Sequence, residues 1–80
     1  MRFSYDPRYN IAYLRFRKKS SDVETICVSD ELNVDLAPGG KIYGIELLNA
    51  NEQLMKEDFG KLFVVNEATG AESEVALDPQ

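Results

Sequence analysis

Two alternating runs of residues joined by a Pro/Gly-rich turn constrain the fold of this chain more than any other feature. Apolar and polar side chains alternate over Leu32–Leu36, and a second strand-like run follows over Ile42–Leu48. The segment between them contains Pro38, Gly39 and Gly40, residue types that turn the backbone. Two such runs around such a turn predict an antiparallel β-hairpin, which makes the chain β-rich and supplies no catalytic group.

Three further strands precede this hairpin. Apolar and polar residues alternate over residues 2–6 and 11–17, and residues 23–28 are rich in β-branched side chains. The strands reverse every eight to twelve residues or so without a helix between them, which predicts an antiparallel meander of four to five strands. Cys27 is expected inside the core. The side chains expected to be well buried are Leu14, Phe16, Val34, Leu36, Ile45 and Leu47.

The last thirty or so residues carry one helical signal. Asn49 and Glu52 are spaced as in a capping box, and apolar residues then recur at helical spacing, which predicts a short helix over about 51–59 with Gly60 as its stop. A helix this short must dock on a face of the sheet. Residues 61–80 are expected to form either a second hairpin or an arm. We therefore expect one domain over residues 1–80, of α+β class and mostly β, with a β core in 1–50 and a helix with hairpin or arm in 51–80.

Composition limits both the compartment and the chemistry. A chain of 80 residues buries a small core and often gains stability from a partner. Histidine, the commonest general base, is absent. Cys27 has no second cysteine to pair with, which is typical of a protein of the reducing cytoplasm. No apolar run reaches the length of a signal peptide or a membrane span, so we expect a cytoplasmic protein without membrane association.

The charge of the chain is unevenly distributed. Residues 1–19 contain six bases and one acid, giving +5, whereas residues 20–80 contain three bases and thirteen acids, giving −10. The basic stretch could hold a nucleic-acid backbone or an acidic protein surface, or could simply be a solvated, edge-protecting face. The net charge of −5 argues against nucleic acid. The candidate charged contact comprises Arg15, Arg17, Lys18 and Lys19.

Three acids raise the possibility of catalysis. Asp6, Asp35 and Glu46 could hold a divalent cation or act as a general acid and base, as in a small hydrolase or metal-dependent enzyme. Their simpler interpretation is structural, since Asp6 precedes a proline turn and the other two alternate with apolar residues on strands. We expect no enzyme activity, cofactor or metal.

Four motifs in one order resemble a known family. They are Tyr5-Asp6-Pro7, Asn10-Ile11-Ala12-Tyr13-Leu14-Arg15, Asn33-Val34-Asp35-Leu36 with Gly40, and Gly44-Ile45-Glu46-Leu47-Leu48. They are similar to DUF2283, a family of short prokaryotic proteins of unknown function that typically run "YDPEADALYIRL … VDYDEDGRIVGIEIL". The resemblance covers residues 1–50 and implies a small β-rich domain. The genes of the family often lie beside those of small toxin-like proteins, which implies a partner role.

The chain departs from the family pattern in two ways. Asn10 stands where the family usually has Asp, and residues 37–40 replace an acidic turn.

Gly44, inside a predicted strand, indicates a bulge or a close backbone approach.

A small chain whose predicted sheet has apolar residues on both faces suggests a binding role. We expect a non-enzymatic protein-binding module that forms a homodimer or binds a small, toxin-like protein. Aromatic and apolar side chains that one short helix cannot cover would provide the interface. The candidate interface residues are Ile11, Tyr13, Tyr43 and Met55.

Overall fold

The structure is a computed structural model that describes residues 1–18 and 22–77. It is mostly β, with one short helix and one 3-10 turn, and thus confirms the fold class predicted from the sequence. The elements are β1 (Arg2–Asp6), β2 (Ile11–Arg15), β3 (Glu24–Ser29), β4 (Leu32–Leu36), β5 (Ile42–Leu48), α1 (Ala50–Met55), the 3-10 turn Asp58–Gly60, β6 (Lys61–Val65) and β7 (Glu72–Ala76).

The chain divides into two compact units, Met1–Ala50 and Asn51–Gln80. The first contains a five-stranded antiparallel sheet with the strand order β1-β2-β5-β4-β3. Neighbours in sequence pair in two groups, β1 with β2 and β3 with β4 with β5, and the groups join through β2 and β5. The predicted antiparallel sheet is confirmed, but its strand order differs from the predicted meander, because β2 pairs with β5 and not with β3. This pairing places β5 at the centre and leaves β1 and β3 at the edges.

The predicted hairpin between β4 and β5 is present, with its turn at Pro38, Gly39 and Gly40. Gly39 and Gly40 both have left-handed backbone, with φ of 87° and 79°, which glycine adopts without steric cost. The Ala37 N–H closes the turn by donating to the Lys41 carbonyl over 2.7 Å. The pairing shifts register between Asp35 and Leu36, next to this turn.

Burial in the first unit is shallower than the sequence pattern suggests. Among the described residues, the buried apolar side chains are Ala12, 1% exposed, and Ala50, fully buried. The unit has a single sheet layer, so side chains on each face pack mainly against neighbours on that face, and deep burial requires a second layer. The prediction of a well-buried set was therefore wrong, because all of its members are half-buried: Leu14, Phe16, Val34, Leu36, Ile45 and Leu47.

Edge strand β3 is exposed along its whole length. Cys27, expected in the core, is exposed, and its thiol contacts the Ser29 carbonyl at 3.4 Å. The expectation failed because β3 forms the edge of the sheet, where an apolar sequence does not ensure burial.

The helix is shorter than its sequence pattern predicts. It ends at Met55 rather than near residue 59, and a 3-10 turn follows. Asp58 and Phe59 have left-handed backbone, with φ of 52° and 54°, so the α-helix cannot continue through them. Phe59, placed on the apolar helix face by its spacing, is instead 90% exposed. The predicted docking of the helix on a sheet face stays a prediction.

The second unit contains a β-hairpin, and this outcome decides between the two alternatives considered for residues 61–80. Strands β6 and β7 pair in the antiparallel sense, with Leu62 opposite Val75 and Val64 opposite Ser73. Asn66 shapes the turn, because its side chain accepts hydrogen bonds from the N–H groups of Ala68 and Thr69. Residues 78–80 lie outside the described part of the chain.

Candidate functional site

One face of the five-stranded sheet carries a polar cluster drawn from neighbouring strands. On β5, Glu46 lies opposite Tyr13 of β2 and Asn33 of β4. Gly44, two residues earlier, lies opposite Asp35 of β4. Paired residues of antiparallel strands share a face, as do residues two apart on one strand. These positions therefore form a single surface, which we call the polar face.

A tyrosine and an aspartate connect strands across this surface. The Tyr13 hydroxyl donates a hydrogen bond to Asp35 Oδ2 over 2.7 Å, and the Thr25 hydroxyl donates to Oδ1 over 2.6 Å. Strand β5 runs between the strands of Tyr13 and Asp35, so the phenol ring crosses β5 to reach the carboxylate. Both carboxylate oxygens thereby have donors.

Gly44 gives the Tyr13 ring its space. A Cβ atom at position 44 would lie 2.7 Å from Cε2 of Tyr13 and closer still to Cζ and the hydroxyl oxygen. Separations this short are far inside van der Waals contact, so any side chain at Gly44 would displace the ring. The close approach predicted at Gly44 is therefore made by a side chain, and the register shift next to it matches the predicted bulge.

A third hydrogen bond extends the polar face. The Asn33 amide donates to Glu46 Oε1 over 2.9 Å, linking β4 to β5 beside Tyr13. Partial burial raises the pKa of Tyr13 well above its ordinary value of 10.0, and the hydrogen bond to Asp35 and nearby negative charges raise it further. The phenol is therefore a protonated hydrogen-bond donor over the physiological pH range.

This raised pKa predicts a loss of stability at alkaline pH. Above about pH 10 the unfolded chain releases the Tyr13 proton while the folded chain retains it, so the free energy of unfolding falls as pH rises from there. We expect Tyr13→Phe to be less stable than the wild type at about pH 8, by about 1–2 kcal/mol for the lost hydrogen bond, and to fall less steeply above about pH 10. Urea unfolding at several pH values measures both effects. Equal alkaline slopes in the two proteins would contradict the assignment.

A separate polar contact holds one end of the sheet together. Asn49 donates to Glu31 Oε2 over 2.8 Å and accepts from the Asn10 amide over 3.3 Å. The Asn10 carbonyl also accepts the N–H of Ala50 over 3.1 Å. Asn10 and Asn49 both have left-handed backbone, which asparagine tolerates better than most residues. These asparagines join the β1–β2 turn, the end of β5 and the β3–β4 turn.

The three acids considered for catalysis have different surroundings. Asp6 forms an ion pair with Arg8 over 2.9 Å in the β1–β2 turn, and this hydrogen-bonded guanidinium lowers the pKa of Asp6 below its ordinary value of 3.8. Asp35 and Glu46 lie on the polar face, each accepting a hydrogen bond from a neighbouring strand, and Asp35 accepts another from Tyr13 across β5. Within residues 1–18 and 22–77, no group of three or more His, Cys, Asp or Glu side chains is placed to hold a metal ion.

The candidate charged contact lies at the end of β2. Arg15 is half-buried opposite Gly44, whereas Arg17 and Lys18 are exposed. Arg17 Nε donates to the Ile42 carbonyl over 3.3 Å. Lys19 falls outside the described residues.

The candidate interface residues are all half-buried: Ile11, Tyr13, Tyr43 and Met55. The Tyr13 hydroxyl donates a hydrogen bond to Asp35 within the sheet, so a substitution of Tyr13 would affect the sheet as well as any interface. More exposed apolar side chains lie on β3 and on the hairpin β6–β7.

The sequence pattern did not reveal the roles of Thr25 and Asn33. Both are ordinary polar residues on strands, and their partners come from other strands. The signal that was available is Gly44 inside a strand. Its relation to Tyr13, which pairs with Glu46 two residues further along β5, becomes informative only once the strand order is known.

The fold and the polar face define a small antiparallel β domain built around a cross-strand hydrogen-bond network. A family model, DUF2283 (protein of unknown function), matches residues 2–51, and the chain belongs to this family. Tyr13, Asp35, Gly44 and Glu46, which lie in the motifs that carry the family resemblance, all lie on the polar face.

No curated protein and no solved structure matches the chain significantly. In the part of the chain that the structure describes, no helix is both long and apolar enough to cross a membrane.

Proposed function

We propose that this chain is a small cytoplasmic protein-binding module without catalytic activity. The observation that carries the proposal is the exposure of large apolar side chains along strands. Ile26 and Val28 are exposed on edge strand β3, and most of the side chains of β6 are large, apolar and exposed. Exposed large apolar side chains grouped along a strand mark sites where proteins associate.

The polar face supports a binding role over the hydrolase alternative. Asp35 accepts two hydrogen bonds, Glu46 accepts one from Asn33, and Asp6 is paired with Arg8. A general base requires a carboxylate within reach of a substrate proton, in a concave site. Asp35 and Glu46 thus link strands of the sheet, and Asp6 holds a turn.

The family resemblance suggests one partner to test first. Genes of the family often lie beside those of small toxin-like proteins, so the product of the adjacent gene is the first candidate. We expect the purified chain to form a stable complex either with that product or with a second copy of itself. Native mass spectrometry and light scattering after co-expression measure this directly.

Matched variants make the test specific to apolar surface. Ile26→Ser removes an exposed apolar side chain, whereas Ser29→Ala alters an exposed polar one on the same strand. If the partner contacts β3, the first change weakens the complex by about 1–3 kcal/mol and the second leaves it nearly unchanged. A monodisperse monomer that binds neither the adjacent product nor itself would overturn the proposal.

A further inference from the structure

The hairpin β6–β7 exposes large apolar side chains. Val64 is 57% exposed, and Leu62, Phe63 and Val65 on the same strand are also exposed. An isolated two-stranded hairpin is marginally stable in water, and three or more strands with an apolar face are needed for independent stability. Pairing with further strands would therefore stabilise the hairpin.

The hydrogen bonds of the hairpin show which backbone groups face its free edge. Asn66 N–H donates to the Ala71 carbonyl over 2.8 Å at one end, and Leu77 N–H donates to the Gly60 carbonyl over 2.8 Å at the other. Bonded and non-bonded pairs alternate along an antiparallel ladder, so Leu62 and Val64 also bond inward to β7. Phe63 and Val65 consequently direct their N–H and C=O groups outward.

These outward groups are available for strand pairing. In the part of the chain that the structure describes, β6 pairs with β7 alone. Lys61 N–H donates to the Asp58 carbonyl, which leaves the Lys61 carbonyl together with both groups of Phe63 and Val65 along the edge.

The two edges of the hairpin differ in charge. Strand β7 presents Glu72 and Glu74 at the equivalent outward positions, and acidic side chains on an edge oppose pairing with another strand. Strand β6 has no acid, and its single base, Lys61, lies 3.9 Å from Glu74 of its own hairpin. The apolar edge β6 is therefore the one suited to association.

We propose that β6 pairs with β6 of a second copy of this chain in the antiparallel sense, centred on Phe63, to form a four-stranded sheet. The proposal rests on the proposed binding function and names the partner at this edge. In this register the two Phe63 residues exchange both backbone hydrogen bonds, and Val65 N–H donates to the Lys61 carbonyl of the other copy. Leu62 lies opposite Val64, so apolar side chains meet on both faces.

The charge pattern favours this symmetric pairing over its alternatives. Pairing β7 with itself in the same manner would place Glu74 directly opposite Glu74, a destabilising like-charge contact. Pairing β6 with β7 of another copy is a head-to-tail contact that leaves edges free and propagates into filaments. Only β6 with β6 closes as a dimer with the acidic strands on the outside.

A pair of lysine substitutions tests the proposal. Phe63→Lys places lysine opposite Glu74 within its own hairpin, which maintains the hairpin, but sets two lysines against each other at the dimer axis. Val75→Lys is the matched control, because Val75 is 46% exposed, like Phe63 at 41%, but lies on β7. By light scattering and sedimentation, we expect a wild-type dimer whose dissociation constant rises about tenfold or more in Phe63→Lys and changes little in Val75→Lys.

Salt and cross-linking provide independent measurements. Each copy carries a net charge of −5, so raising NaCl from about 50 to about 500 mM should strengthen an apolar dimer by screening repulsion. In a Cys27→Ser background, Phe63→Cys should form a disulfide between copies on mild oxidation, whereas Val75→Cys should not.

The outcomes separate this proposal from the broader one. A wild-type monomer that still binds the adjacent gene product through an interface sensitive to Phe63→Lys would overturn self-pairing, because another protein would occupy the edge. A dimer unaffected by Phe63→Lys would also overturn it and leave the binding function standing. A monomer with neither partner would overturn both.

Discussion

Replacing Gly44 with valine is expected to destabilise the chain by about 2–3 kcal/mol. The new side chain would occupy the space of the Tyr13 ring, whose Cε2 lies 2.7 Å from the position of a Cβ at residue 44. The ring would have to move, and the hydrogen bond from its hydroxyl to Asp35 would be lost. Urea unfolding followed by circular dichroism measures the change.

The sign of the effect should reverse when the ring is removed. In a Tyr13→Ala background no ring covers position 44, and valine favours a strand where glycine disfavours it, so Gly44→Val should be neutral or stabilising by up to about 1 kcal/mol. In a Tyr13→Phe background the ring remains and the substitution should stay destabilising. An equal cost in all three backgrounds would mean that Tyr13 does not lie over Gly44.

Truncation of Ile45 to alanine should produce the other large loss of stability, about 2 kcal/mol. Ile45 lies on central strand β5, between Leu14 and Val34 of the neighbouring strands. Because it is half-buried, the loss should fall at the lower end of the range for buried isoleucine. The free energy of unfolding, obtained by denaturant titration, measures it.

Ile42→Ala is the matched control for this truncation. Ile42 is the first residue of the same strand and is 44% exposed. Its truncation should cost less than about 1 kcal/mol, since less apolar area leaves the interior. Equal losses of stability in Ile45→Ala and Ile42→Ala would show that the half-buried Ile45 contributes no more to stability than the exposed Ile42.

Local sequence carried correct information about the elements themselves. The side-chain pattern along β4 and β5, together with Gly39 and Gly40 between them, specifies two strands and their turn without reference to the rest of the chain. Both glycines have left-handed backbone in this turn. The helix was predicted correctly at its start and too far at its end. Phe59 continues the apolar helical spacing, but Asp58 and Phe59 have left-handed backbone, which the spacing does not reveal.

Burial was less predictable than secondary structure. An apolar strand is buried only if another element covers it, and the position of β3 at the sheet edge exposes Cys27 and Ile26 despite their strand-like sequence. Whether a strand lies at an edge depends on which strands pair, and that is a property of the whole sheet.

The sequence by itself determined the class of fold, because period-two alternation and turn residues act over a few neighbouring positions. Tertiary structure alone decided the polar face. Tyr13 and Asp35 are 22 positions apart, and they meet only because β2 pairs with β5, which positions Gly44 under the phenol ring. Contacts of such sequence separation depend on strand order, which local side-chain pattern does not encode.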